Sequence, residues 1–220
     1  MPSLQACLFD LDGVIVDTAR YHYIAWRELA NDLGFELTES QNEELKGISR
    51  MESLDIILEI GKITLSEEEK LDRAQKKNER YLKLCQQITP EDALPGVIPF
   101  LVELKQNHIK IGLGSASKNA RLILNQLAIT DYFETIVDGT RITKSKPDPE
   151  VFTMGANDLG VESEFTVVFE DALAGVQAGK AAGMLTVGIG DSNILEEADF
   201  VMSGFEGFML TDLTEKLALS

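Results

Sequence analysis

At 220 residues, 44% hydrophobic and 26% charged, the chain has the composition of a soluble globular protein. Its length lies between one and two average domains, so one main core with a smaller insert is expected, burying roughly 70% of the unfolded surface. The net charge of −17 argues against nucleic acid or an anionic membrane as partner, though not against a small anionic ligand gripped by a few local cations.

In chain order, the opening "MPSLQACLFDLDG" has neither the basic flank nor the apolar length of a signal peptide. No apolar stretch approaches the ~18 residues that cross a bilayer. Cys7 and Cys85 are far apart and form no CxxC pair, so they read as buried free thiols in a reducing compartment, and the protein as cytoplasmic. Residues 5–10 are a short apolar run of the kind buried on both faces of a sheet. That run ends on Asp10, with Asp12 two residues on and Gly13 free to make a tight turn.

A helical region follows. "TARYHYIAWRELANDLGF" spaces Trp26, Leu29, Ala30 and Leu33 helically and stops at Gly34. "SRMESLDIILEIG" opens with the capping-box pair Ser49 and Glu52 and ends at Gly61, and "SEEEKLDRAQKKNERYLKLC" repeats the device with Ser66 and Glu69. The segment at 86–96, with two prolines and one glycine, reads as a linker. Beyond it, strand candidates at 109–115, 135–139, 165–170, 184–190 and 199–202 alternate with helix candidates at 97–106, 119–128, 149–159 and 172–182. The expected fold class is α/β: a Rossmann-like parallel sheet core from residues 1–15 and 91–220, with an α-helical cap domain, 16–90, inserted after the first strand.

Polar groups fall at the predicted strand ends, where ligands bind in open α/β sheets. Asp10 and Asp12 end the first strand, Ser115 the second, and Glu170 and Asp171 the run "FTVVFE"; Lys146 lies in the loop "TKSKPDP". Four carboxylates brought together raise one another's pKa unless cations intervene. Lys146 supplies one positive charge, and a hard divalent ion with oxygen ligands, for which Mg²⁺ is suited, supplies the rest. Such a set serves phosphoryl transfer. Asp10 can attack phosphorus, Asp12 can move the proton, and Lys146 and Ser115 can hold the equatorial oxygens. Each piece has a plainer reading, a turn for DxDG or a helix cap for "ED". Their order on this fold pattern is far more specific than any one of them, and Gly13 directly after Asp12 excludes an EF-hand.

"FDLDGV" (9–14), "GSAS" (114–117), "KSKPDP" (144–149) and "FEDALAG" (169–175) resemble the four motifs of the haloacid dehalogenase superfamily. The resemblance implies a Mg²⁺-dependent phosphotransferase or phosphatase with a mobile cap. It makes Asp10 the nucleophile and Asp12 the general acid/base. The metal would take carboxylates from Asp10, Glu170 and Asp171 and the main-chain carbonyl of Asp12. Ala172 departs from the pattern where many relatives carry a hydroxyl, and only a modest effect is expected.

Within the cap, "DTARYHYIAW" (17–26), "ELKGISR" (44–50) and "KKNERY" (76–81) resemble the family of β-phosphoglucomutases, as does "SASKN" (115–119) in the core. Such isomerases interconvert β-glucose 1-phosphate and glucose 6-phosphate through the 1,6-bisphosphate. A second phosphate needs a second anion site, and Arg50 with the free amides of its helix's first turn would form one. Ser117, Lys118 and Asn119, with Ala116 beside them, would complete it. The resemblance makes His22 a closure residue that meets Asp12 and Lys77, and lets Thr18 hold Asp12 when the cap is open. Lys46 and Gly47 would line the sugar side, and Trp26, four residues from His22 on the same helix face, is a further substrate-binding candidate or an extension of the core stripe. Residues 14–17 and 86–96 are the expected hinge strands. The implied partner is a small phosphorylated sugar, and the chain is taken as a monomer. A Mg²⁺-dependent sugar-phosphate phosphatase on the same fold is the alternative. A non-catalytic binding protein is disfavoured, because it need not keep the nucleophile.

Overall fold

The structure, a computed structural model, describes residues 4–45 and 48–219. Six strands form one parallel sheet in the order β3-β2-β1-β4-β5-β6. They are β1 (Ala6–Phe9), β2 (Lys110–Gly114), β3 (Thr135–Val137), β4 (Thr166–Glu170), β5 (Leu185–Ile189) and β6 (Phe200–Met202). Each predicted strand is present and trimmed by a residue or two at its ends. The apolar β1 is central, and Leu8 lies opposite Gly112 on one side and Val168 on the other. Connections run outward from β1 in both directions, so the chain reverses its winding beside this strand and leaves a crevice at its carboxyl end.

Side-chain alternation along β1 feeds two cores. Cys7 and Phe9 point to one face with Phe100, Phe169 and Phe205, and the Phe9 and Phe169 rings stack at 4.7 Å. Ala6 and Leu8 point to the other, with Val151, Phe152 and Val168. The flanking helices are α5 (Val97–Gln106), α6 (Ala120–Gln126), α7 (Glu150–Leu159), α8 (Leu173–Ala181) and α9 (Leu210–Lys216).

Between β1 and α5 the chain forms α1 (Ala19–Asp32), α2 (Glu39–Glu43), α3 (Arg50–Gly61) and α4 (Glu67–Cys85). Trp26, Leu29, Leu54, Ile57 and Ala74 from α1, α3 and α4 make an apolar cluster of their own, while Tyr21, Ala25, Tyr81 and Cys85 join the main core. Both expected capping boxes are formed, at Ser49/Glu52 and Ser66/Glu69. The two crossings between the helices and the sheet lie side by side: Val16 bridges Asp12 and Ala93, and Leu94 N donates to Ile15 O at 2.9 Å.

Two helices were not expected from the pattern. In α2 the five residues bury only Asn42, so no apolar period announces it, although Thr38 and Gln41 form a capping box. The seven residues of α9 bury only Leu213. Helix α3 also runs through Gly61, and Lys62 takes the left-handed position instead. Cys7 and Cys85 are free and buried. Among the described residues, no helix is long and apolar enough to cross a membrane.

Candidate active site

Phe9 pairs with Leu113 and Phe169, so the next residue, Asp10, emerges level with the ends of β2 and β4. Its amide donates to Phe169 O at 3.0 Å, which fixes the backbone at the point where the nucleophile candidate leaves the sheet. The loop before α7 brings Lys146 against it. Lys146 Nζ donates to Asp10 Oδ1 at 2.6 Å and also to Glu170 Oε1, with both the lysine and the glutamate side chains wholly buried. Burial alone would lower the Lys146 ammonium, but Asp10 and Glu170 outweigh it and hold it above its ordinary range. Burial pushes Glu170 the other way, toward its neutral form, and Lys146 opposes this. We regard the pair as ionised, because the ammonium sits between two carboxylates and bonds to both.

Carboxylate oxygens of Asp10, Glu170 and Asp171 lie within 4.8 Å of one another. Three hard oxygen donors grouped around one buried ammonium, that of Lys146, fit a hard divalent cation. Two glycines hold this set together. A Cβ on Gly13, whose φ is +77°, would stand 2.1 Å from Asp171 Oδ2, and one on Gly175 would stand 1.9 Å from Glu170 Cδ. Where a hydroxyl was missing at Ala172, its main-chain N–H serves, donating to Glu170 Oε2 at 3.2 Å. Asp12 is not among the grouped carboxylates. It lines a cavity of about 550 Å³ between the sheet's carboxyl edge and the helices. Asp12 Oδ1 is enclosed, with no hydrogen-bond partner among the described residues. Burial first, then the charge of Asp10, pushes its carboxyl up to about 7 against the pull of Lys77 and Lys146. A carboxyl poised there can both give and take a proton near neutrality.

His22, Trp26, Arg50, Lys77 and Ser115, Ala116, Ser117, Lys118 and Asn119 all line that same cavity. Ser115 Oγ accepts from Ser117 N at 3.2 Å, which leaves the hydroxyl proton available to a ligand. Lys77 Nζ meets His22 Nδ1 at 2.8 Å and lies 4.3 Å from the Trp26 ring centre, and the His22 ring packs against Tyr81, tilted by 39° with centroids 4.1 Å apart. Burial, then Lys77 and Arg50, hold the His22 ring well below its ordinary pKa, so it is neutral. Thr18 is fully buried beside Tyr81, and its hydroxyl makes no hydrogen bond to Asp12. Lys46 and Gly47, expected on the sugar side, lie outside the described residues.

The Arg50 site differs in one respect from expectation. Ser49 Oγ takes the Glu52 amide, and Glu52 returns its carboxylate to Ser49 N at 3.0 Å, so the capping box already uses donors of that turn and puts a negative charge there. The guanidinium is then the group of that turn left to meet an anion. It is half-buried and makes no ion pair with a described residue, and its burial lowers its pKa. Sequence reasoning also passed over Asn78, Tyr81 and Gly175 as contributors. Gly175 closes the quoted motif "FEDALAG", and Asn78 directly follows Lys77.

Lys77 gives a testable consequence. Burial, then Arg50, lowers its ammonium from 10.5 to about 7, while Asp12 and Cys85 oppose the change. Between those two values the unfolded chain binds a proton that the folded chain does not, so stability rises with pH across that window. Below it the folded protein carries the full cost of a buried ammonium. Lys77→Met is therefore expected to raise the melting temperature of the ligand-free protein near about pH 6, the gain shrinking toward about pH 10. Thermal melts across that range check the sign; a variant that is less stable at every pH overturns it.

A buried aspartate at the carboxyl end of a central parallel strand, gripped by a lysine beside a carboxylate cluster and facing a cavity, is arranged for phosphoryl transfer. The chain belongs to the haloacid dehalogenase-like hydrolase family, whose model matches residues 7–189. It is 45% identical over 90% of its length to a β-phosphoglucomutase of Bacillus subtilis, covering 89% of that protein. The crystal structure of a β-phosphoglucomutase from Clostridium difficile matches with a TM-score of 0.95 at 46% identity, covering 98% of this chain and 97% of that one. A phosphorylated carbohydrates phosphatase of Thermotoga maritima is 32% identical over 82% of each chain.

Proposed function

We propose that this enzyme interconverts β-D-glucose 1-phosphate and glucose 6-phosphate through a phosphoryl group carried on Asp10 and a 1,6-bisphosphate intermediate. The observation that carries this reading is Arg50, a half-buried cation with no carboxylate partner among the described residues, lining the same cavity as Asp10 and Asp12. A cation so placed calls for an anion opposite the reacting one, as a substrate phosphorylated at either of two positions supplies.

Lys146 occupies Asp10 Oδ1, which leaves Oδ2 to bond phosphorus. With the phosphoryl group on Asp10, the sugar's 6-hydroxyl attacks, its proton passes to Asp12, and the bond between phosphorus and Asp10 breaks. After the bisphosphate turns around, Asp10 attacks the phosphorus at position 1, and Asp12 returns a proton to the departing sugar oxygen. Ser115 and Lys146 hold the phosphoryl oxygens. Mg²⁺, held by Asp10, Glu170, Asp171 and the main-chain carbonyl of Asp12, would neutralise the charge of the transferred group. Residues 16–90 act as a cap over residues 1–15 and 91–220, hinged where Val16 pairs with Ala93, and its closure keeps water from the phosphoryl-aspartate. We place the enzyme in the cytoplasm as a monomer.

One assay tests this. β-Glucose 1-phosphate is supplied with Mg²⁺ and a trace of the bisphosphate, and glucose 6-phosphate and free phosphate are followed together. Glucose 6-phosphate is expected as the main product; free phosphate alone would leave the phosphatase reading. Arg50→Ala is expected to lower kcat/KM for isomerisation roughly ten- to a hundredfold, the worth of a charge-assisted hydrogen bond. Phosphorylation of Asp10 by acetyl phosphate, which has no second anionic group, should scarcely change.

A further inference from the structure

We propose that Asn78 is a positioning residue for the second phosphate: from α4 it fixes the side-chain amide of Asn119, so that this amide is aimed at the ligand only when the helices sit against the sheet. The inference rests on the mutase reading, since it presumes a ligand with two phosphates.

Asn119 stands at the start of α6, where an asparagine side chain ordinarily caps its own helix. It makes no such bond here. Its Nδ2 donates instead to Asn78 Oδ1 at 2.9 Å, a half-buried contact between residues 41 apart that joins the helical region to the sheet edge. A side-chain amide has two N–H donors. Asn78 takes one and thereby sets the plane of the group, and the other remains for an anion. Both residues line the cavity that holds Arg50. The Asn119 main chain is pinned separately, its N–H donating to Ser117 Oγ at 3.2 Å, so Asn78 governs the side chain rather than the loop.

The place of Asn78 in the chain extends the argument. Its neighbour Lys77 is buried against His22 and Trp26 in the same cavity. Consecutive residues of one helical turn thus reach the cavity together, Lys77 within the field of both Arg50 and Asp12 and Asn78 on Asn119. Movement of α4 displaces both together. A ligand that occupies the distal site favours the seating of Lys77, and a ligand without a distal phosphate gains nothing from it. This makes Asn78 a determinant of preference for bisphosphates over monophosphates.

A double-variant cycle tests the coupling. Asn78→Ala, Asn119→Ala and the double substitution are made in an Asp10→Asn background that cannot turn over, and the Kd for glucose 1,6-bisphosphate is measured. Alanine is the better helix former, so weakened binding by Asn78→Ala does not come from a weaker α4. Each single change is expected to weaken binding about tenfold, and the double variant to bind no more weakly than Asn119→Ala alone. Effects that multiply would overturn the proposal. In the otherwise unaltered enzyme, Asn78→Ala should leave the rate of Asp10 phosphorylation by acetyl phosphate unchanged; an equal fall there would mean that Asn78 acts through the general fold, and the proposal fails. If the unaltered enzyme does not isomerise glucose 1-phosphate while the cycle remains coupled, the mutase reading falls and the role of Asn78 stands. If it isomerises and the effects multiply, the reverse holds.

Discussion

Asp10→Asn is expected to abolish phosphoryl transfer while the protein stays folded. The amide matches the carboxylate in size, and Lys146 keeps Glu170 as a charged partner, so the buried cation is not abandoned. What disappears is the anionic oxygen that bonds phosphorus, for which an amide is no substitute. Loss of a covalent nucleophile is expected to cost at least about 10⁴-fold in turnover. Mass spectrometry after incubation with acetyl phosphate should find a phosphoryl adduct on the unaltered chain and none on the variant. Asp12→Asn gives the contrast: roughly 10²- to 10⁴-fold slower isomerisation, the range for a lost general acid/base, with the adduct still formed. Turnover by Asp10→Asn within tenfold of the unaltered enzyme would assign the nucleophile elsewhere.

Lys146→Met should destabilise the protein as well as stop catalysis, and a divalent cation should reverse part of the first effect. The lysine side chain is wholly buried, as is that of Glu170, and Asp10 is nearly so. Removing the ammonium leaves two buried carboxylates facing Asp171 with no counter-charge of their own. Breaking a buried ion pair from one side costs about 3–5 kcal/mol, because the remaining charge is uncompensated. The carboxylates can respond by taking up a proton, so the loss should be larger at about pH 8 than at about pH 5. Urea denaturation with and without Mg²⁺ measures both effects: the midpoint should fall, and the cation should restore more of it in the variant than in the unaltered chain. An unchanged midpoint would show that the triad contributes little to the fold.

The strand ends were legible in the sequence because their signals are local. Asp10 and Asp12 follow an apolar run, Glu170 and Asp171 end another, and a parallel sheet must bring such ends together. The Ser49 and Ser66 capping boxes were legible for the same reason, since partner and cap are three residues apart. Helices α2 and α9 escaped because each buries a single side chain and leaves no period to read.

Neighbourhood was harder to read than identity. Thr18, expected to hold Asp12 when the cap is open, is buried beside Tyr81 and makes no hydrogen bond to Asp12 here. Lys77, one lysine in a highly charged helix, is buried on an aromatic face only because α1 packs beside α4 and presents Trp26. The capping box at Ser49 was evident, yet its effect on Arg50 depends on a carboxylate placed at the very turn where an anion was to bind.

From the sequence alone came the α/β class, the order of strands and helices along the chain, and the candidate set of Asp10, Asp12, Ser115, Lys146, Glu170 and Asp171, because each motif is written in residues close together. The tertiary structure alone decided which charges share an enclosure: Lys146 between Asp10 and Glu170, Lys77 against His22, and Asn78 on Asn119. Those contacts join residues 24 to 136 apart. Their strength comes from exclusion of water, and only the assembled packing of helices on the sheet excludes it.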